Sequence, residues 1–434
     1  MSYGSPRWSY ELLDCAMPVT FDTYSNCSHK CLYCFSAYQR QSEVQSTAAH
    51  YRNNIVSAVN VEQVQQIFTL KRPSQFSRWI AERRVIQWGG LSDMFDYTER
   101  ERGVTLKLLR FFRDLNYPIS LSTKATWFLS DPRYLEVLSG YTNLHVKVSI
   151  ITADDYMARK IEPGVPSATE RIESLARWRA LGVGGVTLRF RPFILGCGDL
   201  TASQLVEASA RAGADSVTSE FLCIEGRASP ILKQRYAVIS AAVGYDVLEF
   251  YLKHSHGTGL LRLNYELKRK YFEALRDHVH SLGMRFYVSD AHHKNLSDGY
   301  NCCGAPHIGE LASGNTGNFM GALLLAKQKG YVTWNDILPQ AAWMQELPYV
   351  GLQGYNQANS KNRARWQHQT ILDYMQERWN NTKAANSPQH YFGGVLLAGD
   401  MDDSGNVIYY YNRPLVEQGR HIKSVKELRE ELGL

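Results

Sequence analysis

Apolar and polar residues follow two rhythms along the first half of the chain. Short apolar runs predict strands, and each precedes a longer segment whose apolar residues recur at helical spacing. Ser167 followed by Glu170 predicts a capping box, and Gly182 ends that helix. Repeated strand–helix units predict parallel strands with the helices outside them, which is an α/β fold. The strands are predicted at Met17–Tyr24, Arg84–Trp88, Ile119–Thr123, His145–Ile151, Val186–Phe193 and Ala214–Ser219, and helices at Val104–Asn116, Ser167–Leu181 and Ala202–Ala212.

The same rhythm divides the chain into four parts. An N-terminal arm (1–16) precedes the strand–helix region (17–225), in which a long insertion after the first strand holds a polar segment, Gln39–Asn54, and a predicted helix, Val61–Leu70. An extension (226–330) contains a predicted helix, Tyr265–Leu282, followed by a strand-like run, Met284–Ser289. A C-terminal accessory region (331–434) is rich in Trp, Tyr, Gln and Asn.

The composition of the 434 residues is that of a globular protein, with 44% hydrophobic and 21% charged residues. No apolar run is long enough to span a membrane, and the N-terminal residues lack a secretory pattern, so we expect neither a transmembrane helix nor a signal peptide. The net charge of +6 permits a nucleic-acid partner without requiring one. The cysteines cluster at metal-binding spacing, which predicts a reducing, cytoplasmic setting.

Three of the eight cysteines lie on one short segment after the first predicted strand. Cys27, Cys31 and Cys34 have the spacing C-x3-C-x2-C. Thiolates on a turning loop can converge on one inorganic centre, and three of them leave one iron of a four-iron cluster without a protein ligand. Structural zinc is the alternative, but it usually takes four protein ligands in paired C-x2-C units. The spacing therefore predicts these three cysteines as ligands of a [4Fe-4S] cluster.

This motif, with an aromatic residue (Tyr33) inside its last gap, resembles the signature of radical S-adenosylmethionine (SAM) enzymes. The resemblance implies a partial (β/α)6 barrel, here with a C-terminal extension, whose chemistry lies in the loops after the strands. It also implies a [4Fe-4S] cluster and SAM as cofactors, with SAM chelating the open iron. An electron from a donor such as flavodoxin or ferredoxin then cleaves SAM to a 5′-deoxyadenosyl radical, which abstracts a substrate hydrogen atom.

Motifs at the ends of the next three strands resemble the spore photoproduct lyase branch of this family. Glycines allow a ligand to approach the backbone, a lysine can meet SAM's carboxylate, and serines can bond its ribose or carboxylate. The alternatives are an ordinary glycine turn and, for the lysine, a solvated strand end. The motifs are Trp88–Gly89–Gly90–Leu91–Ser92–Asp93, Leu121–Ser122–Thr123–Lys124 and Val148–Ser149–Ile150–Ile151–Thr152. By matched position, the resemblance implies SAM contacts for Tyr33, Gly89, Gly90, Ser92, Lys124 and Ser149.

Two arginines alternate along the fifth predicted strand, so Arg189 and Arg191 share one face. A barrel interior rarely buries two guanidinium groups without anions to pair. The candidate anions are SAM's carboxylate, a substrate phosphate and Glu220. Arg191 is included among the predicted SAM-binding residues. The alternative is an internal salt-bridge network of Arg191, Glu162 and Glu220. Glu162 and Arg171 are interpreted as organisers of the loop and helix after the fourth strand.

The chain departs from the branch at one position. In spore photoproduct lyase a cysteine two residues before the SAM-contacting serine returns a hydrogen atom to the product radical, and here that place is Gly90. The vicinal Cys302 and Cys303 are the candidate hydrogen donors instead. Cys197 and Cys223 are interpreted as small buried apolar residues. The alternative for these four cysteines is an auxiliary cluster.

Two later segments carry weaker signals. Ser289–Lys294, with its His292–His293 pair, follows a strand-like run and is a candidate for the barrel mouth, with a surface loop as the alternative. Asp400–Gly405 has the acidic pattern of a calcium loop but lacks the glutamate at the twelfth position. We interpret it as a hairpin turn.

The substrate is indicated only coarsely. Four short runs together mix basic and aromatic residues, as nucleic-acid grooves do, although ordinary solvated surfaces show the same mixture. Three hypotheses follow. The first is an enzyme that modifies, rearranges or repairs a nucleic-acid base, with modification or isomerisation favoured because Gly90 replaces the donor cysteine. The others are a radical SAM enzyme for a small molecule, amino acid or peptide, and a non-catalytic nucleic-acid-binding protein that contains zinc or a cluster. The four runs are Lys71–Arg72–Pro73, Arg78–Trp79, Arg83–Arg84 and Arg363–Ala364–Arg365–Trp366.

Overall fold

The fold is that of a computed structural model, which describes residues 6–9, 11–36, 56–256, 260–305, 317–349, 369–418, 430 and 433. Two of the sequence predictions, the polar segment Gln39–Asn54 and the basic run Arg363–Trp366, lie outside the described residues.

A mostly parallel sheet of eight strands forms the centre of the described part of the chain. Its order is β1-β2-β3-β4-β5-β6-β7-β11. Only β1 runs antiparallel to its neighbour, and every other adjacent pair is parallel. The predicted α/β class is therefore confirmed, and β11 extends the sheet beside β7. The strands are β1 Arg7–Trp8, β2 Val19–Phe21, β3 Ile86–Trp88, β4 Ile119–Thr123, β5 Leu144–Ser149, β6 Gly185–Phe193, β7 Ser216–Phe221, β8 Ile224–Glu225, β9 Ser255–His256, β10 Leu260–Leu263, β11 Arg285–Val288, β12 Tyr331–Val332, β13 Leu396–Met401 and β14 Val407–Tyr411.

Helices connect the successive parallel strands and cover the sheet. Helix α7 packs on β5 and β6, and α11 packs on β7 and β11. The predicted capping box of Ser167 and Glu170 begins α7, and Gly182, with a φ of +70°, follows its end. The α-helices are α1 Val61–Phe68, α2 Ser77–Ala81, α3 Tyr97–Arg102, α4 Val104–Asp114, α5 Pro132–Leu138, α6 Asp155–Ile161, α7 Ala168–Ala180, α8 Ala202–Arg211, α9 Pro230–Val243, α10 Val247–His254, α11 Tyr265–Ser281, α12 Phe319–Lys329, α13 Trp334–Ala341, α14 Ile371–Asn380, α15 Pro388–Tyr391 and α16 Arg413–Glu417.

The central strands alternate in character even though both faces of the sheet are buried. Val146 and Val148 of β5 are fully buried apolar residues, whereas His145, Lys147 and Ser149 between them are buried polar residues. Side chains of successive residues point to opposite faces, so each of these strands has an apolar face and a polar face. The polar face is linked across strands: the His145 ring lies 2.8 Å from Ser120 Oγ on β4 and 2.7 Å from Thr187 Oγ1 on β6. The polar face of β4–β7 thus lines the interior of a partial barrel.

Two further small sheets lie outside the main one. Strands β8, β10 and β9 form an antiparallel sheet within the segment between β7 and β11, together with α9 and α10. In the C-terminal region β12, β14 and β13 form another, and the residues between β13 and β14 make the predicted hairpin turn. None of the helices in the described ranges is both long enough and apolar enough to cross a bilayer.

Candidate active site

A cavity of about 350 Å³ lies where the parallel strands of the main sheet end. Its lining residues come from the loops after β2, β3 and β4, from the C-terminal ends of β5, β6 and β7, and from the small β8–β10 ribbon. Ligand sites of open α/β sheets lie at this carboxyl edge of the strands. The lining residues include Glu11, Cys27, His29, Cys31, Tyr33, Cys34, Gly89, Gly90, Ser92, Asp93, Lys124, Ser149, Arg189, Arg191, Glu220, Cys223, Glu225, Leu260 and Arg262.

The cysteine segment is held against this cavity by contacts with distant parts of the chain. The Leu32 backbone N–H donates to the Ile161 carbonyl (3.0 Å), and the Gly164 N–H donates to the His29 carbonyl (3.1 Å). A Cβ on Gly164 would lie 2.7 Å from the His29 carbonyl oxygen, so a glycine is needed for this close approach. The Ser28 N–H donates to Asp96 (2.8 Å). The loop conformation therefore depends on the segments after β3 and β5.

The donor chemistry of this wall fits an iron–sulfur cluster. All eight cysteines of the chain are free, and Cys27, Cys31 and Cys34 line the same cavity. In the described ranges no three Cys, His, Asp or Glu side chains converge closely enough to surround a metal ion, so the thiols share a wall without meeting at one point. Three thiols of one loop, facing a space that admits a further ligand, are the donor set that a four-iron cluster with an open iron requires.

Asp93 is a hub that connects the cysteine segment to β4. Its carboxylate accepts hydrogen bonds from Thr123 Oγ1 (2.9 Å) and the Lys124 backbone N–H (2.6 Å), and His29 Nε2 lies 3.1 Å away. Burial opposes ionisation of this carboxyl, but the contact with His29 and the backbone N–H groups hold its pKa below its usual range. Asp22 has a similar role after β2, since it accepts from the N–H groups of Leu91 and Ser92, both at 2.9 Å.

The predicted SAM-binding lysine takes part in a buried ion network. Lys124 Nζ lies 2.6 Å from the Tyr33 hydroxyl and 2.8 Å from Glu162 Oε1, while Arg171 lies 2.8 Å from the other Glu162 oxygen. Burial raises the pKa of Glu162, but the charges of Arg171 and Lys124 outweigh it and bring the pKa to about 2. Arg171 also donates to the Ser149 carbonyl (2.8 Å). Glu162 and Arg171 thus organise this part of the site, and Lys124 and Tyr33 belong to the same network.

The remaining predicted SAM contacts come together on the cavity wall. Gly89 and Gly90 follow β3, and Gly89 has a φ of +87°. Ser92 Oγ donates a hydrogen bond to the Tyr24 carbonyl (2.8 Å), and Ser149 Oγ accepts a hydrogen bond from Arg189 (3.2 Å). The structure therefore places every residue implied by the resemblance at one cavity, although their contacts with SAM stay predictions.

The salt-bridge network expected among Arg191, Glu162 and Glu220 is only partly formed. Arg191 pairs with Glu220 and donates to Ser289 Oγ (3.2 Å), whereas Glu162 pairs with Lys124 and Arg171 instead. Arg189 has Ser149 as its hydrogen-bond partner, and no carboxylate of a described residue pairs with it. Burial and the neighbouring Arg191 charge lower the pKa of Arg189 to about 10.

The thiols outside the cysteine segment agree with the sequence interpretation at Cys197 and differ from it at Cys223. Cys302 and Cys303 do not line the cavity: the Cys302 carbonyl accepts from Thr218 inside the barrel (2.6 Å), and the two sulfur atoms are 4.0 Å apart. Cys223, interpreted as a small buried residue, lines the cavity. Cys197 is buried beside the Ile151 carbonyl (3.9 Å). These four cysteines are dispersed, and hydrogen donation by Cys302 or Cys303 stays a prediction.

The histidine pair and the three basic runs within the described residues also lie away from the cavity. His293 is buried against the ring of Tyr265, with centroids 4.5 Å apart, and burial holds its pKa well below the usual value. Trp79 is 3% exposed, and the Arg84 guanidinium lies 5.2 Å from its ring centroid. Since Arg84 precedes β3, this basic and aromatic cluster lies at the edge of the sheet opposite the cavity.

Comparison with known proteins gives distant similarities. No protein-family model matches the chain. Uncharacterized proteins of Mycobacterium tuberculosis and Mycobacterium bovis are 25% identical to it over 230 residues, which is 50% of this chain and 65% of each relative. The chain thus spans less than two thirds of the length of these relatives.

Similar solved structures include mutants of spore photoproduct lyase, the branch that the strand-end motifs resemble. One, with bound AdoMet and dinucleoside spore photoproduct, has a TM-score of 0.45 and 16% identity over 63% of this chain and 76% of that one. A tyrosine-to-phenylalanine mutant has a TM-score of 0.49 and 16% identity over 66% and 80%. Streptococcus suis SuiB bound to precursor peptide SuiA has a TM-score of 0.38 and 14% identity over 64% and 50%.

Proposed function

We propose that this protein is a radical SAM enzyme that modifies, rearranges or repairs a nucleic-acid base. The observation that carries the proposal is the shared cavity of the three cysteines and the strand-end residues Ser92, Lys124 and Ser149. These residues lie after β2, β3 and β4 and at the end of β5, so their convergence is not a consequence of the cysteine spacing alone. The free state of the cysteines agrees with a reducing, cytoplasmic setting.

The residues of the cavity have distinct roles in this proposal. Cys27, Cys31 and Cys34 hold a [4Fe-4S] cluster. Gly89 and Gly90 let SAM approach the backbone, and Ser149 with Arg189 offers donors to its polar groups. When bound, the cluster and SAM would supply radical chemistry once an electron arrives from a donor such as flavodoxin or ferredoxin. The chain's contribution is to position the two cofactors and to keep the substrate in a space with little water.

The nucleic-acid substrate rests on two considerations. The strand-end motifs resemble a branch that acts on DNA, and the cavity contains guanidinium groups beside carboxylates, which together match the phosphate and the N–H groups of a nucleotide. A base reaches such a cavity when it is turned out of the stack. A small molecule, amino acid or peptide is the second candidate, because 350 Å³ is also the size of an ordinary small-ligand pocket.

Anaerobic reconstitution tests the enzyme class. We expect about four iron atoms per chain and reductant-dependent formation of 5′-deoxyadenosine from SAM. Cys34→Ala is expected to lose both, whereas Cys197→Ala, which changes a cysteine away from the cavity, is expected to keep both. Circular dichroism checks that the variants are folded. SAM cleavage that survives in Cys34→Ala would show that the cysteine assignment is wrong.

Binding and label transfer test the substrate. A nucleic-acid enzyme binds oligonucleotides at low salt, and its affinity falls steeply as salt rises. Deuterated nucleic acid is then expected to transfer label into 5′-deoxyadenosine. Absence of oligonucleotide binding at low salt, with SAM cleavage intact, would favour the small-molecule or peptide substrate.

A further inference from the structure

Part of the cavity wall comes from the segment between β7 and β11. Leu260 and Arg262 of β10 both line the cavity, while Leu261 and Leu263 are buried in the other direction. This is the alternation that a strand imposes on successive side chains. Glu225 of β8 pairs with Leu260 in the same ribbon and also lines the cavity. The β8–β10 ribbon therefore presents one defined face to the cavity.

Arg262 is the cation of this face. It is partly buried, and within the described part of the chain its guanidinium has no ion pair and no side-chain hydrogen bond. The neighbouring carboxylates have other partners: Glu220 pairs with Arg191, and Asp290 lies 2.6 Å from Lys268 Nζ. A guanidinium is always charged and has five N–H donors. The nearby Glu220, Asp290 and Glu11 carboxylates favour its charged form, but among the described residues none of them pairs with it directly. Its N–H donors are therefore available to an acceptor that arrives with a ligand.

We propose that Arg262 binds the phosphodiester group next to the target base, which makes the β8–β10 ribbon the element that recognises the substrate backbone. This inference rests on the proposed function, because it assumes a nucleic-acid substrate. A phosphodiester can meet the guanidinium fork with two oxygens, as a carboxylate can, and the proposed nucleic-acid substrate carries one beside its target base. The carboxylates of Glu225 and Glu11 on the same cavity are acceptors for the N–H groups of a base.

The position of Arg262 separates it from the cofactor side. Cys27 and Lys124 follow β2 and β4, and Ser149 ends β5, whereas Arg262 belongs to the small sheet outside the main one. A molecule held between the two walls would have its phosphate at β10 and its base toward the cysteine segment. The ribbon thereby sets which part of the substrate meets the radical.

Dinucleoside monophosphates test the contact, since each carries a single phosphodiester. The probes are these dinucleotides and their uncharged methylphosphonate counterparts, titrated by NMR against the reconstituted full-length protein. For wild type we expect methylphosphonate substitution to weaken binding about tenfold to hundredfold. Arg262→Gln is expected to weaken phosphodiester binding by a similar factor and to make the two probes bind alike. Arg110→Gln, which changes an exposed arginine on α4, is the matched control and is expected to behave as wild type.

The outcomes distinguish this inference from the proposed function. Phosphodiester binding that Arg262→Gln leaves unchanged overturns the Arg262 contact while leaving the nucleic-acid function standing. A loss in Arg262→Gln that is equal for both probes overturns the phosphate as the partner. If wild type binds no dinucleotide but binds an acidic peptide through Arg262, the assignments of the phosphodiester and of a nucleic-acid substrate are both wrong. Reductant-dependent SAM cleavage then still tests the enzyme class.

Discussion

Gly89 and Gly90 are adjacent residues of the cavity wall with different requirements for glycine. Gly89 has a φ of +87°, and a Cβ there would lie 2.7 Å from the Ser122 carbonyl oxygen. The nearest atom to a Cβ on Gly90 would be Nη2 of the Arg7 guanidinium, at 3.3 Å. The first position combines a left-handed backbone with a close backbone neighbour, and the second has neither.

Alanine substitution is expected to separate the two positions. Gly89→Ala should lower the free energy of unfolding by about 1–3 kcal/mol, because the left-handed conformation is strained for alanine. Gly90→Ala should cost markedly less, since its backbone is not left-handed and its nearest contact, at 3.3 Å, is longer. Urea unfolding of both variants measures the difference. Equal losses would show that the turn after β3 relaxes around either side chain.

Glu162 predicts an acid-sensitive contribution to stability. Its pKa is about 2 in the folded protein and 4.5 without the fold. Above pH 4.5 the carboxylate is ionised in both states, and its contribution of about 3 kcal/mol is fully present. Between pH 4.5 and pH 2 the unfolded chain takes up a proton that the folded protein does not, so this stability is progressively lost as the pH falls.

Removing the carboxylate tests this directly. Glu162→Gln leaves Arg171 buried without its anion and should cost about 3–5 kcal/mol at pH 7. The difference from wild type should shrink as the pH falls from 4.5 toward 2, measured by urea unfolding at each pH. Glu136→Gln, at an exposed position, should change stability little at any pH. A loss for Glu162→Gln that is the same at pH 3 and pH 7 would contradict the ion-network explanation.

At the scale of elements, the local pattern predicts the strands well and the site only in part. Local apolar runs in the sequence predict the parallel strands around the cysteine segment. The hubs Asp22 and Asp93 do not, because their partners lie up to 70 residues away in the sequence. Arg262 was missed since its strand is short and its pairing partner β8 has only two residues. Its one signal was a charged residue within an apolar run.

Helix α7 offers a test of a single element. The Ser167 side chain accepts from the Glu170 N–H, and the Glu170 side chain accepts from the Ser167 N–H (2.9 Å). Ser167→Ala should lower the free energy of unfolding by about 1 kcal/mol, because it leaves a helix N–H without a partner. The double variant with Glu170→Ala should lose less than the sum of the single variants, since both belong to one motif. Additive losses would mean that the two contacts act independently.

At the scale of the whole molecule, three of the four predicted parts meet at one buried ion pair. Asp14 belongs to the N-terminal arm, Lys294 to the extension and Tyr391 to the C-terminal region. Lys294 and Asp14 form an ion pair, and the Tyr391 hydroxyl donates to the same carboxylate at 2.9 Å. The sequence predicts the parts, but it contains no local sign that they pack together. The C-terminal region is therefore part of the same folded body as the barrel.

This contact predicts that the parts unfold together. Lys294→Met leaves the Asp14 carboxylate buried without its cation, so it should lower the free energy of unfolding by about 3–5 kcal/mol. Because the pair joins all three parts, urea unfolding should remain a single transition when it is followed by tryptophan fluorescence and by far-ultraviolet circular dichroism. Adding Asp14→Leu should recover part of the loss, since the double variant has no unpaired buried charge.

Lys253→Met, at an exposed lysine, is the matched control and should change little. Two separate transitions in wild type, or a loss in Lys294→Met that affects only one probe, would mean that the C-terminal region folds independently of the barrel.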